Sequence, residues 1–453
     1  MRFLSQARSA LELHPDFRVL SFNVGVAVLT GLLFGLAPAL QSTRPNLTAA
    51  LKREPPTLAS GGRRFELRRI LVVAQVAVAL VLLIGAGLFV RTLQNLKGLD
   101  LGFRADKVLL LSINPGLSGY RSNQVVSFYA QLLDRVKSLP GVQSVSVADM
   151  PLLGGAYIDG ISVEGYQPPP GQDMSTRAKR VEPKFFETMG IPLLMGRDFA
   201  PQDGPGSQKV AIINQAFARD FFGTENPIGR RIGVGTQQSD CEIIGVIQDT
   251  KYRDLKEPVP RTVYVPLVQS DSASAERTLH VRTAGNPKNL ITAIRHEVQA
   301  LDKDLPVYDV RTFTELVAKN LSQERLIATL SSLFGLLALL LASIGLYGVM
   351  AYAVLRRTRE IGIRMALGAR RADVLWLVLR ETLFLVMIGI GVGLPAAFAA
   401  TRLVASRLFG LTPTDPATIL FGTCVLAAVA VFAGYLPARR ATKVDPMEAL
   451  RYE

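Results

Sequence analysis

The chain has 453 residues, 49% of them apolar and 19% charged, with a formal net charge of +14. That charge is uneven: +7 falls on residues 1–100, +1 on residues 101–320 and +6 on residues 321–453. A nucleic-acid-binding protein would gather its excess on a folded basic face, whereas here it follows the apolar blocks, which excludes nucleic acid as the partner.

Five uncharged blocks set the organisation, and each reads as a membrane helix. The first, Val19–Leu40, is diluted by Ser21, Asn23 and Thr30. Residues 1–53 also repeat the C-terminal end of the chain. Asp16 aligns with Asp415, Gly35 with Gly434, Pro38-Ala39 with Pro437-Ala438 and Ala50-Leu51 with Ala449-Leu450. The Ala-Leu match lies beyond the apolar run, where helix composition does not supply it. Residues 1–53 are therefore expected to be the last transmembrane helix and tail of a preceding unit. Residues 54–69, "EPPTLASGGRRFELRR", are rich in Pro and Gly and are expected to be a cytoplasmic linker. Residues 70–97 hold the second helix, whose uncharged run is Ile70–Val90.

Residues 98–320 change character. "KVLLLSINP" and "VQSVSVADM" read as strands flanking an amphipathic helix with apolar Val125, Phe128, Leu132, Leu133 and Val136. The pattern recurs downstream as "TLHVRTAG", "NPKNLITAIRHEVQALD" and "LPVYDV". Two βαβ units around an insertion predict a split ferredoxin-like module. The insertion, residues 150–275, carries short strands such as "CEIIGVIQD" and "TVYVPLV" and one helix around "NQAFARDFFG". "RTFTELVAKNLSQERLIATL" is expected to run as one helix from outside into the membrane, a stalk.

Residues 321–453 supply three further spans, Leu326–Leu355, Thr382–Thr401 and Pro416–Pro437. At about 1.5 Å per residue the first reaches roughly 45 Å, more than a hydrocarbon core of about 30 Å. The expected fold class is an α-helical membrane protein with an α+β extracytoplasmic domain, a split ferredoxin-like module with an inserted β-rich subdomain. Arginines at 63, 64, 68 and 69, at 356, 357, 359, 364, 370 and 371, and at 439 and 440 hold their flanks in the cytoplasm. The domain at 98–320 is then outside and the C-terminus inside.

Signatures of catalysis are missing from the sequence. It contains no G-x-x-x-x-G-K-[ST] phosphate loop, no H-E-x-x-H and no G-x-S-x-G. Gly389–Gly393, "GIGVG", lies inside a membrane span, where close helix packing explains it. Arg380 and Glu381 are expected near the cytoplasmic end of their helix, so the apolar spans offer no proton path. Between two spans, "RRTREIGIRMALGARRADV" predicts an amphipathic surface helix, with Arg357, Glu360 and Arg364 on one face and a turn near Leu367-Gly368-Ala369. On its residues alone this segment reads equally as interfacial lipid contact or as a docking knob for a cytoplasmic partner.

"REIGIRMALGARRADV" and the ending "PARRATKVDPMEALRYE" resemble the FtsX/MacB family of ABC-transporter permeases. "RRILVVAQVAVALVLLIGAGLFVRTL" is similar to that family's first helix. "FFETMGIPLLMGRDF", "VAIINQAFARDFFGTENPIGRRI" and "IIGVIQDTKYRDLKEPVPRTVYVPL" are similar to its extracytoplasmic domain. The resemblance covers residues 61–453 and is nearest to the duplicated permeases of the group. It implies a non-catalytic permease subunit of the bacterial inner membrane, of export or efflux type, with no cofactor or metal of its own. A separate ABC ATPase subunit would supply energy, and motion would pass through stalk helices to the outer domain, a mechanotransmission. The implied ATPase-coupling residues are Arg359, Glu360, Ile361, Gly362, Arg364, Ala366, Leu367, Gly368 and Ala369. The implied stalk is Leu321, Ser322, Glu324, Arg325 and Ile327. Membrane lipid is a further partner, and a periplasmic adaptor or second permease unit remains open. The alternative is a membrane-anchored regulatory scaffold that controls an envelope partner without moving a substrate.

Overall fold

Among the described residues four helices carry apolar runs: α1 (Ala59–Lys97), α7 (Ser322–Arg356), α9 (Arg371–Leu403) and α10 (Pro416–Ala441). The computed structural model describes residues 59–155, 157–235, 239–252, 255–270 and 275–442, with five isolated helical positions between 17 and 28. The reading of residues 1–53 as the end of a preceding unit lies, those five apart, outside the described residues. The linker reading is corrected in part. From Ala59 onward the stretch is already helical and continuous with the membrane span, because no proline follows Pro56 to stop it.

All four helices are long and apolar enough to cross a bilayer. They pack through stripes spaced three and four residues apart: Val72, Val76 and Leu80 of α1, Leu346 and Met350 of α7, Leu385 of α9, and Leu426 and Ala430 of α10 share one core. Glycines set the closest approaches. A Cβ at Gly389 would meet the Val76 side chain at 2.4 Å, and one at Gly393 would meet the Ala77 backbone at 3.0 Å. The outward faces keep large apolar side chains such as Leu333, Phe334, Leu337 and Ile344 exposed, a surface suited to lipid and not to water.

Between α1 and α7 the chain builds an α+β domain. Its first half contains β1 (Val108–Ile113), α2 (Ser122–Lys137) and β2 (Val142–Ala148). Its last part contains β10 (Arg277–Thr283), α5 (Ile291–Leu301) and β11 (Val307–Thr312). The sheet order β11-β1-β10-β2, all antiparallel, is that of the expected split ferredoxin-like module. β1 is buried along its whole length because both faces are covered. Leu109, Leu111 and Ile113 enter the core under α2 and α5, while Val108 and Leu110 enter a second core on the opposite face.

The insertion holds seven strands: β3 (Tyr157–Val163), β4 (Ser175–Val181), β5 (Leu193–Gly196), β6 (Val210–Asn214), β7 (Arg231–Val234), β8 (Cys241–Ile247) and β9 (Thr262–Pro266). Because β9 pairs back onto β4, the order β4-β3-β7-β8-β6-β9 closes into a six-stranded ring, with β5 alongside β8. Besides the expected helix α4 (Gln215–Phe222) there is a short α3 (Phe185–Met189) that fills the second core with Phe185 and Phe186. The ring joins the ferredoxin-like sheet through one strand pair, Ala148 opposite Val181.

The stalk is not one helix. α6 (Phe313–Asn320) ends and α7 begins at Ser322, with Leu321 between them. Leu321 is 7% exposed, drawn into the second core of the soluble domain, and helical registration breaks around it.

Candidate functional site

α7 closes at Arg357, whose amide donates to the carbonyls of Ala353 and Val354. α8 (Thr358–Ala366) follows at once, about 13 Å long at 1.5 Å per residue, and α9 starts five residues later. The turn after α8 is set by Gly368, whose φ of +96° lies in the left-handed region. Its amide donates to Met365 O at 3.1 Å and that of Ala369 to Arg364 O at 3.0 Å, satisfying the last carbonyls of the helix. Arg370 then caps α9: its amide donates to the Asp373 carboxylate at 3.0 Å.

The helix has two faces of opposite character. Ile361 is 3% exposed and sits in the membrane-helix core, with Met365 one turn on packed against it. Glu360, Ile363, Arg364 and Leu367 stand at i, i+3, i+4 and i+7, all exposed, and Leu367 at 83% is among the barest apolar side chains. The Arg364 guanidinium lies 2.7 Å from Glu360. Such an exposed pair is worth only a few tenths of a kcal/mol; its consequence is a fixed charge pattern beside two apolar knobs.

Of the sequence-derived coupling residues, Glu360, Arg364, Leu367 and Gly368 therefore lie on the outer surface and Ala369 is half-buried. Ile361 and Gly362, named with them, are buried, because the inward face of an amphipathic helix must seat on the bundle. Arg359 and Ala366 are on α8, with side chains outside the described residues. Ile363, outside the expected set, is exposed on the same face, three residues after Glu360. Arg357 leaves that face as well and bonds Glu381 at 3.1 Å. Arg380 and Glu381 are in the third turn of α9, not near its end, since that helix starts at Arg371.

At the other end of α7, Ser322 and Arg325 are exposed, while Glu324 and Ile327 are half-buried. Lys256, from the loop between β8 and β9, lies 2.8 Å from Glu324. Arg91 of α1 bonds Asp415, the N-cap of α10, and Asn95 donates to the carbonyls of Phe409 and Gly410 at 3.3 Å. The Lys256 contact ties the soluble domain to α7, and the Arg91 and Asn95 bonds tie α1 to the segment that joins α9 and α10. Among the described residues no three His, Cys, Asp or Glu side chains converge to hold a metal.

Among the described residues, an α+β domain between the first two of four membrane-length helices, with a short amphipathic helix between the second and third, defines a multi-pass membrane protein. Residues 332–446 match the FtsX-like permease C-terminal family and residues 70–301 the MacB-like periplasmic core domain family. The chain belongs to the MacB/FtsX-type ABC transporter permeases and is the permease portion of such a system. It is 30% identical over 274 residues to the uncharacterized ABC transporter permease YknZ of Bacillus subtilis (strain 168), covering 59% of this chain and 68% of that one. It is 27% identical over 396 residues to the macrolide export ATP-binding/permease protein MacB 2 of Aeromonas hydrophila subsp. hydrophila. That match covers 80% of this chain but 58% of the relative, so the chain spans little more than half of that protein. The periplasmic region of MacB from Actinobacillus actinomycetemcomitans aligns with 51% of this chain at 15% identity and a TM-score of 0.34.

Proposed function

We propose that the chain couples a separate ABC ATPase, bound on the cytoplasmic side, to movement of its soluble domain outside the membrane. The observation that carries this reading is the outward face of α8. An exposed leucine and isoleucine beside a fixed Glu360–Arg364 pair make a small anchor of the kind that seats in a partner's pocket. The inward face, through Ile361 and Met365, is wedged into the membrane-helix core, so a push on α8 acts on α7 and α9 together. The arginines around α8 and at the end of α10 support a cytoplasmic position for both, which leaves residues 98–320 outside an inner membrane. The spans carry no phosphate loop, and the energy would come from the partner. Export or efflux, with a periplasmic adaptor or second permease unit, is the form of activity that fits; lipid covers the exposed α7 face.

The test is co-purification from gently solubilised membranes with and without ATP. An ABC-type ATPase should accompany the chain, and Glu360→Lys or Leu367→Asp should lower its recovery about tenfold, the effect of losing roughly 1.4 kcal/mol of contact. Ile361→Val, on the buried face, should leave recovery unchanged. Equal recovery with all three variants would overturn the assignment of this face.

A further inference from the structure

The six-stranded ring of the insertion encloses a cavity of ≈ 340 Å³ at one mouth. Register puts its lining there: Asp159 near the start of β3, Arg180 near the end of β4, Val210 at the start of β6, Val234 at the end of β7 and Val265 near the end of β9. The volume falls in the range of about 300–1,000 Å³ typical of small-molecule sites. Ala178, Val210, Val234 and Val265 give it apolar walls, and the charged groups stand around them.

Arg180 is the unexplained group. Its side chain is only 21% exposed, lying 3.8 Å from Asp149 and 3.7 Å from Asp159, with the guanidinium 4.9 Å over the Tyr157 ring. Those contacts hold it in place, yet its guanidinium donates no hydrogen bond to any described residue, and its Nε is buried without a partner. A half-buried guanidinium with its ion-pair carboxylates at 3.8 and 3.7 Å, beyond hydrogen-bond length, keeps donors open that an incoming carboxylate would satisfy through two parallel N–H···O bonds. The opposite wall offers no equivalent, because Lys209 is already 2.6 Å from Asp240. With Asp149, Asp159 and Asp240 all close by, a second negative charge on the ligand would meet repulsion and find no free fork.

We propose that this cavity binds compact organic monoanions, with one carboxylate on Arg180 and an apolar body against Val210, Val234 and Val265. The site uses no residue of α8 and stands independently of the ATPase reading.

The experiment titrates naphthoate, detected by its own fluorescence, into the full chain in lipid nanodiscs, with protein-free discs subtracted. Naphthamide serves as the neutral analogue and naphthalene dicarboxylate as the dianion. Saturable one-site binding of naphthoate is expected, about tenfold tighter than either analogue, the effect of one charge-assisted pair of hydrogen bonds. Val234→Phe should remove binding of acid and amide alike by filling the apolar wall. Arg180→Gln should erase the preference for acid over amide. Arg180→Lys keeps the charge beside Asp149 and Asp159 but lacks the fork, so it should cut the preference severalfold even if the glutamine variant fails to fold. Equal affinity for acid and amide in the unmodified chain would overturn the proposal. So would a preference that survives in Arg180→Lys, wild-type binding in Val234→Phe, or no saturable binding at all.

Discussion

His280 stands at the centre of β10 with no exposed surface, its ring edge-on to Phe185 at 5.2 Å and its Nδ1 3.0 Å from the Thr278 carbonyl. Burial, reinforced by the nearby Lys179 ammonium, pushes its pKa down to about 3 from an ordinary 6.5. The unfolded chain therefore takes up the proton first as the pH falls. Stability contributed by the neutral ring is full above pH 6.5 and declines toward pH 3, by up to roughly 1.4 kcal/mol per pH unit. Thermal midpoints of the unmodified chain should drop on acidification through this window more steeply than those of His280→Phe, which has no proton to gain. Parallel curves would show that His280 does not set the acid sensitivity. Neither His280 nor its neighbour Lys179 could be placed from the sequence. β4 reads "STRAKRV", a pattern of a wet edge strand. Yet β4 pairs with β2, β3 and β9, and Lys179 is wholly buried, donating to Met150 O at 2.8 Å beside Asp149 at 3.9 Å. Spacing along one strand carries no information about how many other strands will surround it.

At the scale of elements the sequence was read more fully where periodicity was strong. Of the expected apolar positions of α2, Val125, Phe128, Leu132 and Val136 are buried and Leu133 is partly buried, and the glycines of "GIGVG" mark close helix contact at Gly389 and Gly393. α8 was also visible, but not which of its faces turns inward, since Ile361 and Ile363 are equally apolar and only the bundle distinguishes them. The turn that ends α8 depends on backbone conformation, and this gives a direct test. At a φ of +96° Gly368 has open space around it, so a substituent there is resisted by its own backbone and not by a neighbour. Gly368→Val should cost about 1–2 kcal/mol of local order and displace Leu367, lowering recovery of the proposed ATPase severalfold. Gly368→Asn, which tolerates the left-handed region, should retain most of it. Full recovery with valine would mean that the turn geometry does not matter for docking.

For the whole molecule the question is how a displacement at α8 reaches a domain at the far end of the helices. α1 ends inside that domain, with Leu96 in its second core, and Leu321 enters the same core from the top of α7. The segment joining the third and fourth membrane helices packs Phe409 against that core. It also reaches α1, through the Arg91–Asp415 pair and the two bonds from Asn95 to Phe409 and Gly410. Each bond joins residues more than 300 positions apart, at separations of 324, 314 and 315, so a one-dimensional reading does not find this clasp. If α9 and α10 drive the soluble domain, the clasp that holds this segment on α1, with Phe409 beside it, is their route to it. Arg91→Ala combined with Asn95→Ala removes the bonds while leaving Asp415 to cap α10 through the Thr418 amide, a 2.9 Å bond that does not involve α1. The double variant should bind the proposed ATPase within about twofold of the unmodified chain, a difference below about 0.5 kcal/mol. It should also lose any ATP-dependent change in the trypsin cleavage pattern of residues 98–320. Persistence of that change would take the motion off the clasp and onto Leu321 of α7 or the Phe409 packing, with the Lys256–Glu324 contact as the next bond to break.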